Sequence, residues 1–540
     1  MTSPTPARAG ARDPSLGHDM LFVVFSKVLY LAVRLAIPPL VLAHVGLAEY
    51  GLWTTCFILV SYIGMSASGF AVVYVRFVAQ YHAQGDVRAI SRLLSTGIVT
   101  MGTAAIVLLA ALWLGMPHLL ALFKVAPASR PTAAWLWFGA CAIFLLDASV
   151  GAFSYVLHGL QRIRREQQIW IAAYVLETAC IALFLHAGMG VYGLLVAFGV
   201  RYVFSIAAAA IVVRVALPGL RIGVGQFDRR CLRIFFGFGT GVQIGGLIST
   251  FLQSADRMIA GLTMGPAAAA IMDLAGKLPA TGASLASSVS MVALPAAARQ
   301  GALGADASLL GVYERSVRMT AWLSAMVLPP LACLSPLVVA AWLGPRADAP
   351  ALATILTCVA LYTHLHVLTG PASSVYRGLG KLSNEYVYHA LRLTGLALGP
   401  VALSVTVAIS PVQLARALAV SGMSAASLYL IVSHRRLAGD IRGMVRLYVL
   451  PYGLPYAAAA AVGALAQQWP LPAHASRFAA LVHLAPAGLL YTVAACAIAW
   501  RWMLCAEQRS ACVARLSPLV RRAGRSQRGA THPLSEPSHD

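Results

Sequence analysis

Charged residues are scarce in this sequence, and acidic residues are the scarcest. Only 11% of the 540 residues are charged, whereas about one quarter are charged in an ordinary soluble domain. Lys and Arg number 40 against 18 Asp and Glu, so the formal net charge is +22. The basic residues lie in short loops between apolar runs and do not form the clustered surface typical of nucleic-acid binding. With 59% hydrophobic residues and a mean hydropathy of +0.76, the chain is predicted to be an integral membrane protein with no nucleic-acid partner.

The sequence also lacks the motifs of common metal, cofactor and catalytic sites. Its nine Cys show no CxxC or CxxH spacing, so neither a disulfide framework nor a metal site is predicted. DxD, HxxxD and GxSxG motifs and a Gly-rich phosphate loop are missing from any suitable context. The loops on the predicted outer side are short, which leaves little room for an enzyme site. We therefore expect no cofactor and no enzyme activity.

Apolar segments long enough to cross a membrane recur along the whole chain. A hydrocarbon core of ~30 Å needs about 20 apolar residues in a helix. Such windows predict about fourteen spans, centred near residues 33, 60, 104, 145, 178, 203, 243, 280, 331, 360, 397, 422, 457 and 490. Lys and Arg are concentrated in the loops after the even-numbered spans, which are therefore predicted to face the cytoplasm. Both termini are predicted to be cytoplasmic.

A long basic loop after the sixth span divides the chain. The predicted fold is an all-α polytopic membrane protein of about fourteen transmembrane helices, with two six-helix lobes around a central cavity and a C-terminal helix pair. The predicted parts are a cytoplasmic N-terminal segment (1–19), an N-terminal six-helix lobe (20–213), a cytoplasmic linker (214–233), a C-terminal six-helix lobe (234–433), the additional helix pair (447–503) and a basic cytoplasmic tail (504–540).

Three stretches resemble a known family. They are GLAEYGLW at 46–53, SGFAVVYVRFVAQYHAQGD at 68–86 and SADRMIAGLTMGPAAAAIMDLAGKLP at 254–279. Together with the span count, they are similar to the polysaccharide-transporter branch of the multidrug/oligosaccharidyl-lipid/polysaccharide (MOP) flippase superfamily. The resemblance implies transport of an undecaprenyl-diphosphate-linked glycan across the bacterial inner membrane. The family usually has an aromatic residue near the position of Asp273, so this chain adds a carboxylate there.

Two cations interrupt the first apolar segment, which reads SKVLYLAVRLAIPPL at 26–40. With a cytoplasmic N-terminus, Lys27 is expected roughly 10 Å and Arg34 roughly 20 Å into the membrane, on one helix face. A charge at the bilayer centre costs roughly 2.5–3.5 kcal/mol, so a hydrated cavity is expected to compensate it. We predict that a cationic cavity binds the diphosphate through Lys27, Arg34, Arg201, Lys277 and Arg392. The alternative for Lys27 and Arg392 is that each extends to the inner membrane interface.

Three carboxylates in the predicted spans are candidates for ion coupling or for charge partners. Asp147 and Glu177 lie in neighbouring spans, where a carboxylate in a low dielectric suits proton binding. A static pairing with Arg201 remains open as the other reading. Asp273 is four residues from Lys277, so an intrahelical ion pair is also open for these two.

Other polar residues are predicted to lie near span ends. Asp256 and Arg257 are expected to form an interfacial pair at the outer end of the seventh span. Tyr50 is expected in the aromatic belt at the membrane surface. Arg416 is a candidate for extending to the outer interface.

The leading hypothesis is a flippase that translocates an undecaprenyl-diphosphate-linked oligosaccharide by alternating access. Its predicted partners are the lipid-linked glycan, membrane lipids, a proton or sodium as coupling ion, and other polysaccharide-assembly membrane proteins. The alternative is a cation-coupled multidrug exporter of the same superfamily, which would use acidic residues to hold cationic substrates. A membrane glycan polymerase or transferase is the third hypothesis.

Overall fold

The computed structural model describes residues 33–304, 306–346, 348–381, 383–406, 410–469, 472, 475–504 and 509–510. Lys27 therefore lies outside the described residues, as do the predicted N-terminal segment and most of the tail. The described residues form helices joined by short turns, and no β-strand occurs among them. The α-helices, named α1 to α19 in chain order, are Val33–His44, Leu47–Ala83, Val87–Leu122, Arg130–Val150, Ala152–Gly159, Ile163–His186, Gly190–Ala216, Arg229–Met264, Pro266–Ala302, Asp306–Ala325, Leu328–Cys333, Ser335–Leu343, Ala349–Leu368, Gly370–Gly378, Ser383–Thr406, Pro411–Leu437, Ile441–Met444, Leu450–Ala466 and Arg477–Ile498.

The predicted all-helical membrane architecture is confirmed, whereas the number of spans is not. Each of the fourteen predicted span centres falls inside one of these helices. In the described ranges, ten helical segments are long and apolar enough to cross a membrane. An eleventh is possible if α10–α11 and α12, which are bent by 87° against each other, form one broken span. The helices α1, α8 and α15 account for the other three predicted spans and fall outside that set, so fourteen spans stays a prediction.

The chain separates into two compact units. The first consists of Met1–Leu278, Trp342–Ile355 and Arg392–Leu418. Within it, α2 packs against α4, α5 and α8, and one buried apolar cluster contains the rings of Phe70, Tyr74, Phe153 and Phe235. Phe70 and Phe235 stack with their ring centroids 4.5 Å apart. Apolar side chains thus hold together α2 and α8, two of the helices that carry the polar site described below.

The second unit consists of Pro279–Ala341, Leu356–Leu391 and Ala419–Asp540. One buried cluster of this unit contains the tyrosines Tyr313, Tyr388, Tyr429 and Tyr448. The hydroxyls of Tyr313 and Tyr448 are 2.6 Å apart and hydrogen-bond each other, because a buried hydroxyl without a partner is costly. The predicted division into two six-helix lobes and a helix pair stays a prediction.

Candidate functional site

A buried carboxylate in the first unit is surrounded by two cations and a phenol. Asp273 of α9 has a side chain that is only 9% exposed, and its Oδ2 lies 2.6 Å from Lys277 Nζ. Arg257 of α8 donates a hydrogen bond to the other carboxylate oxygen at 3.1 Å. Tyr50 of α2 donates one to Oδ2 at 3.3 Å. These four residues, from three helices, are called the Asp273 cluster below.

The helical turn between α8 and α9 explains how the cluster forms. The helices meet at Gly265, whose φ of +93° is a conformation that favours glycine. Arg257 and Asp273 lie equally far from Gly265 along the chain, so the hairpin places them side by side. The helix α2 approaches this turn closely, because a Cβ on Gly51 would lie 2.6 Å from the carbonyl oxygen of Pro266. The neighbouring Tyr50 therefore reaches Asp273.

Arg34 lies on the exposed side of α1 and close to this cluster. Its guanidinium is within electrostatic range of Asp273, Lys277 and Tyr50. The helix α1 is held in the first unit by Trp342, whose indole Nε1 donates a hydrogen bond to Leu35 O at 2.7 Å. The sequence placed Arg34 in a cationic site, and the structure brings it together with Lys277.

Positive charge exceeds negative charge in this region of the first unit. Arg34, Arg257 and Lys277 are the cations. The carboxylates are Asp273 and Asp256, whose Oδ1 lies 4.0 Å from Arg257 Nε. Asp273 neutralises part of the charge and holds two of the cations in place, and the excess is suited to an anionic ligand.

Arg392 approaches the same part of the first unit from α15. One of its guanidinium nitrogens lies 3.4 Å from Leu252 O in α8, five residues before Arg257. It is half-buried. The structure thus places Arg392 against the helix that supplies Arg257, and its binding role stays a prediction.

Arg201 belongs to a different group of residues in the same unit. It pairs with Glu177 of α6 at 3.0 Å, and the side chains are 13% and 10% exposed. Its guanidinium carbon lies 4.2 to 5.0 Å from the ring centroids of Tyr174, Phe198 and Tyr202. Cation–π contacts of this kind stabilise a guanidinium that is removed from water. Arg201, Glu177 and these three rings are called the Arg201 cluster.

Asp147 of α4 is within electrostatic range of Arg201. It is half-buried, whereas Glu177 is buried. Glu177 is paired with Arg201, which is the alternative to ion coupling that the sequence left open. Ion coupling at Asp147 stays a prediction.

The sequence analysis missed Arg257 and Tyr50 as members of the site. The predicted ion pair between Arg257 and Asp256 is present at 4.0 Å, and Arg257 also donates a hydrogen bond to Asp273 at 3.1 Å. The equal distance of Arg257 and Asp273 from Gly265 was the available signal. Nothing in the sequence pointed to Tyr50, because its partner lies 223 residues further along the chain.

Comparison with known proteins agrees with this architecture. A sequence model of a family described as "Polysaccharide biosynthesis protein" matches residues 148–348. No curated protein sequence matches the chain significantly. A structure of the lipid II flippase MurJ is 13% identical and covers 88% of this chain and 97% of its own, with a TM-score of 0.64.

Transporters of multidrug resistance share the fold as well. An inward-facing MATE family transporter of the MOP superfamily is 14% identical and covers 78% of this chain and 98% of its own, with a TM-score of 0.61. The chain has the MOP flippase superfamily fold. A mutant of a Vibrio cholerae MATE transporter is 16% identical and covers 79% of this chain and 98% of its own, with a TM-score of 0.52.

The fold expected from the MOP resemblance is thereby confirmed. The chain is a multi-pass membrane protein with a flippase-like transporter fold. Its matched relatives are transporters and a polysaccharide biosynthesis family. At identities of 13–16%, the structural likeness shows the fold.

Proposed function

We propose that this protein is a flippase that carries an undecaprenyl-diphosphate-linked oligosaccharide across the bacterial inner membrane by alternating access. The observation that carries the proposal is the Asp273 cluster with Arg34 beside it. Three cations from α1, α8 and α9 gather around a single buried carboxylate. Cations inside membrane spans are costly, and a chain retains them where an anionic ligand or partner compensates them.

A diphosphate is the anionic group that best fits these side chains. Arg34 and Arg257 supply planar guanidinium groups, which grip two phosphate oxygens at once. Lys277 supplies a compact point charge that suits a third oxygen. The lipid tail would remain in the bilayer while the diphosphate and the sugars occupy the polar site.

Asp273 has a specific role in this mechanism. It holds Arg257 and Lys277 at 3.1 and 2.6 Å. An arriving diphosphate would compete with Asp273 for these two cations, and the carboxylate would take them back when the cargo leaves. Binding is thereby kept weak enough for release, which a transporter requires.

The relatives support a lipid-linked cargo. The matched sequence family is described by polysaccharide biosynthesis, and the structural relative MurJ is described as a lipid II flippase. We further propose a proton or sodium bound near Asp147 as the coupling ion, and assembly with other membrane proteins of polysaccharide synthesis.

The alternative, a cation-coupled multidrug exporter, is supported by the MATE relatives and needs accessible carboxylates. The buried carboxylate Glu177 is already paired with Arg201 at 3.0 Å. A cationic drug would have to displace that guanidinium from three aromatic rings as well. We therefore rank the exporter second.

Depletion of the protein in its native cells tests the proposal. A defined lipid-diphosphate-linked oligosaccharide should accumulate in lipid extracts analysed by mass spectrometry. Wild type should reverse the accumulation, and Arg34→Ala and Arg257→Ala should not, at equal abundance in the membrane. Arg416→Ala is the matched control, because it removes another exposed Arg of the first unit, on α16. Unchanged lipid-linked intermediates, combined with new sensitivity to cationic drugs, would favour the exporter.

A further inference from the structure

Two exposed histidines of the first unit lie at the ends of two helices. The helix α1 ends at His44 and α6 ends at His186. Their ring centroids are 5.2 Å apart, and the ring planes are tilted by 45°. Both side chains are exposed. In the predicted topology they lie at the outer ends of their spans.

This separation matches that of two histidines sharing one metal ion. Zinc binds imidazole nitrogen at about 2.0–2.1 Å in tetrahedral geometry, which places the two ring centres about 5 Å apart. Metal binding requires neutral imidazole rings, whose nitrogen lone pairs are the ligands.

The hydrogen bond of His44 prepares it for such a role. Its Nδ1 lies 2.9 Å from Leu40 O, and a carbonyl oxygen only accepts, so Nδ1 carries the proton. In the neutral ring, Nε2 is then left with its lone pair available. Metal-binding histidines commonly donate their second ring nitrogen to a backbone carbonyl in this way.

The surroundings favour a cation. Both histidines occupy helix C-termini, where the helix dipole places partial negative charge. Glu49, an exposed carboxylate in the first turn of α2, reaches the start of α7, with its Oε2 4.0 Å from the position of a Cβ on Gly190. Within the described part of the chain, no three or more His, Cys, Asp or Glu side chains are grouped for a metal ion. A metal ion held here would have two protein ligands, with water completing the coordination.

We propose that His44 and His186 together bind a divalent transition-metal ion of the zinc class. Imidazole ligands suit zinc, copper and nickel, whereas magnesium and calcium prefer oxygen. The bound metal would connect the end of α1, the helix that carries Arg34, to the end of α6. Metal binding is a property of the folded protein and does not depend on what the protein transports.

Zinc content of the purified full-length protein in detergent tests the proposal. At equal free zinc in equilibrium dialysis, wild type should hold one zinc ion per chain more than His44→Ala or His186→Ala. His118→Ala should equal wild type, because His118 is also an exposed histidine of the first unit, on α3. Magnesium should not compete.

A conservative variant separates loss of a ligand from loss of folding. His186→Cys should regain the zinc ion, because a thiolate is also a zinc ligand, whereas a misfolded chain would not. Equal zinc content in wild type, His44→Ala and His186→Ala would overturn the proposal. Loss of the ion in only one of these two variants would also overturn it, because the site requires both rings.

Discussion

Removal of the Glu177 carboxylate reveals whether the Arg201 cluster is structural. Glu177→Leu would leave Arg201 with its 13% exposed side chain and without the oxygen now 3.0 Å away. Removing one partner of a buried ion pair costs about 3–5 kcal/mol. The three aromatic rings would still stabilise the guanidinium, each by about 0.5–2 kcal/mol. We therefore expect Glu177→Leu to lower the free energy of unfolding by about 3 kcal/mol, at the lower end of the range for a broken buried ion pair.

The reverse change and the double change complete the cycle. Arg201→Met leaves Glu177 unpaired and also removes the ring contacts, so about 4–5 kcal/mol is expected. The double variant Glu177→Leu with Arg201→Met should be less destabilised than either single variant, because it leaves no buried charge unpaired.

Unfolding of the purified protein in detergent measures these free energies, and transport is measured in parallel. Glu49→Leu is the control, since Glu49 is an exposed carboxylate and should change stability by less than about 0.5 kcal/mol. The reasoning fails if Glu177→Leu is as stable as wild type and yet abolishes transport. Glu177 would then serve ion coupling rather than hold Arg201.

Two other sites give predictions of their own. Gly51→Val should destabilise the protein by about 1–3 kcal/mol in the same unfolding assay, because its Cβ would lie 2.6 Å from Pro266 O. Gly46→Ala should not, because a Cβ there meets nothing within 4 Å; equal stability of both variants would contradict this packing. Burial raises the pKa of Glu385, but the hydrogen bonds from Arg377 outweigh it and lower this pKa to about 2. The stabilisation is full above the ordinary Glu pKa of about 4.3 and is lost as the pH falls towards 2. The unfolding midpoint of wild type should therefore fall more steeply over this range than that of Glu385→Gln, and parallel curves would refute the assignment.

The positions of the helices follow from the sequence because membrane crossing imposes a long apolar segment on each span. Every predicted centre lies in a helix for this reason. Ion pairs between residues that are close in the sequence could also be predicted. Lys277 and Asp273 are one helical turn apart, and the predicted alternative of an ion pair between them is what the structure contains.

Contacts between distant segments could not be derived in this way. Arg257 pairs with Asp273 through a helical hairpin, and Trp342 bonds to Leu35 across 307 residues. The rings around Arg201 come from α6 and α7, and their side-chain directions depend on how these helices pack. Hydropathy reports burial in the membrane and does not specify which buried faces meet.

Translocation by the purified protein in liposomes tests the central claim most directly. The lipid-diphosphate oligosaccharide that accumulates in depleted cells would be incorporated in one leaflet, and its sugars would be assayed for accessibility on the other side. The account predicts that wild type and Arg416→Ala move it and that Arg34→Ala and Arg257→Ala do not. Equal rates for all four proteins, or no movement by wild type, would contradict the claim that the cations at the Asp273 cluster carry the diphosphate.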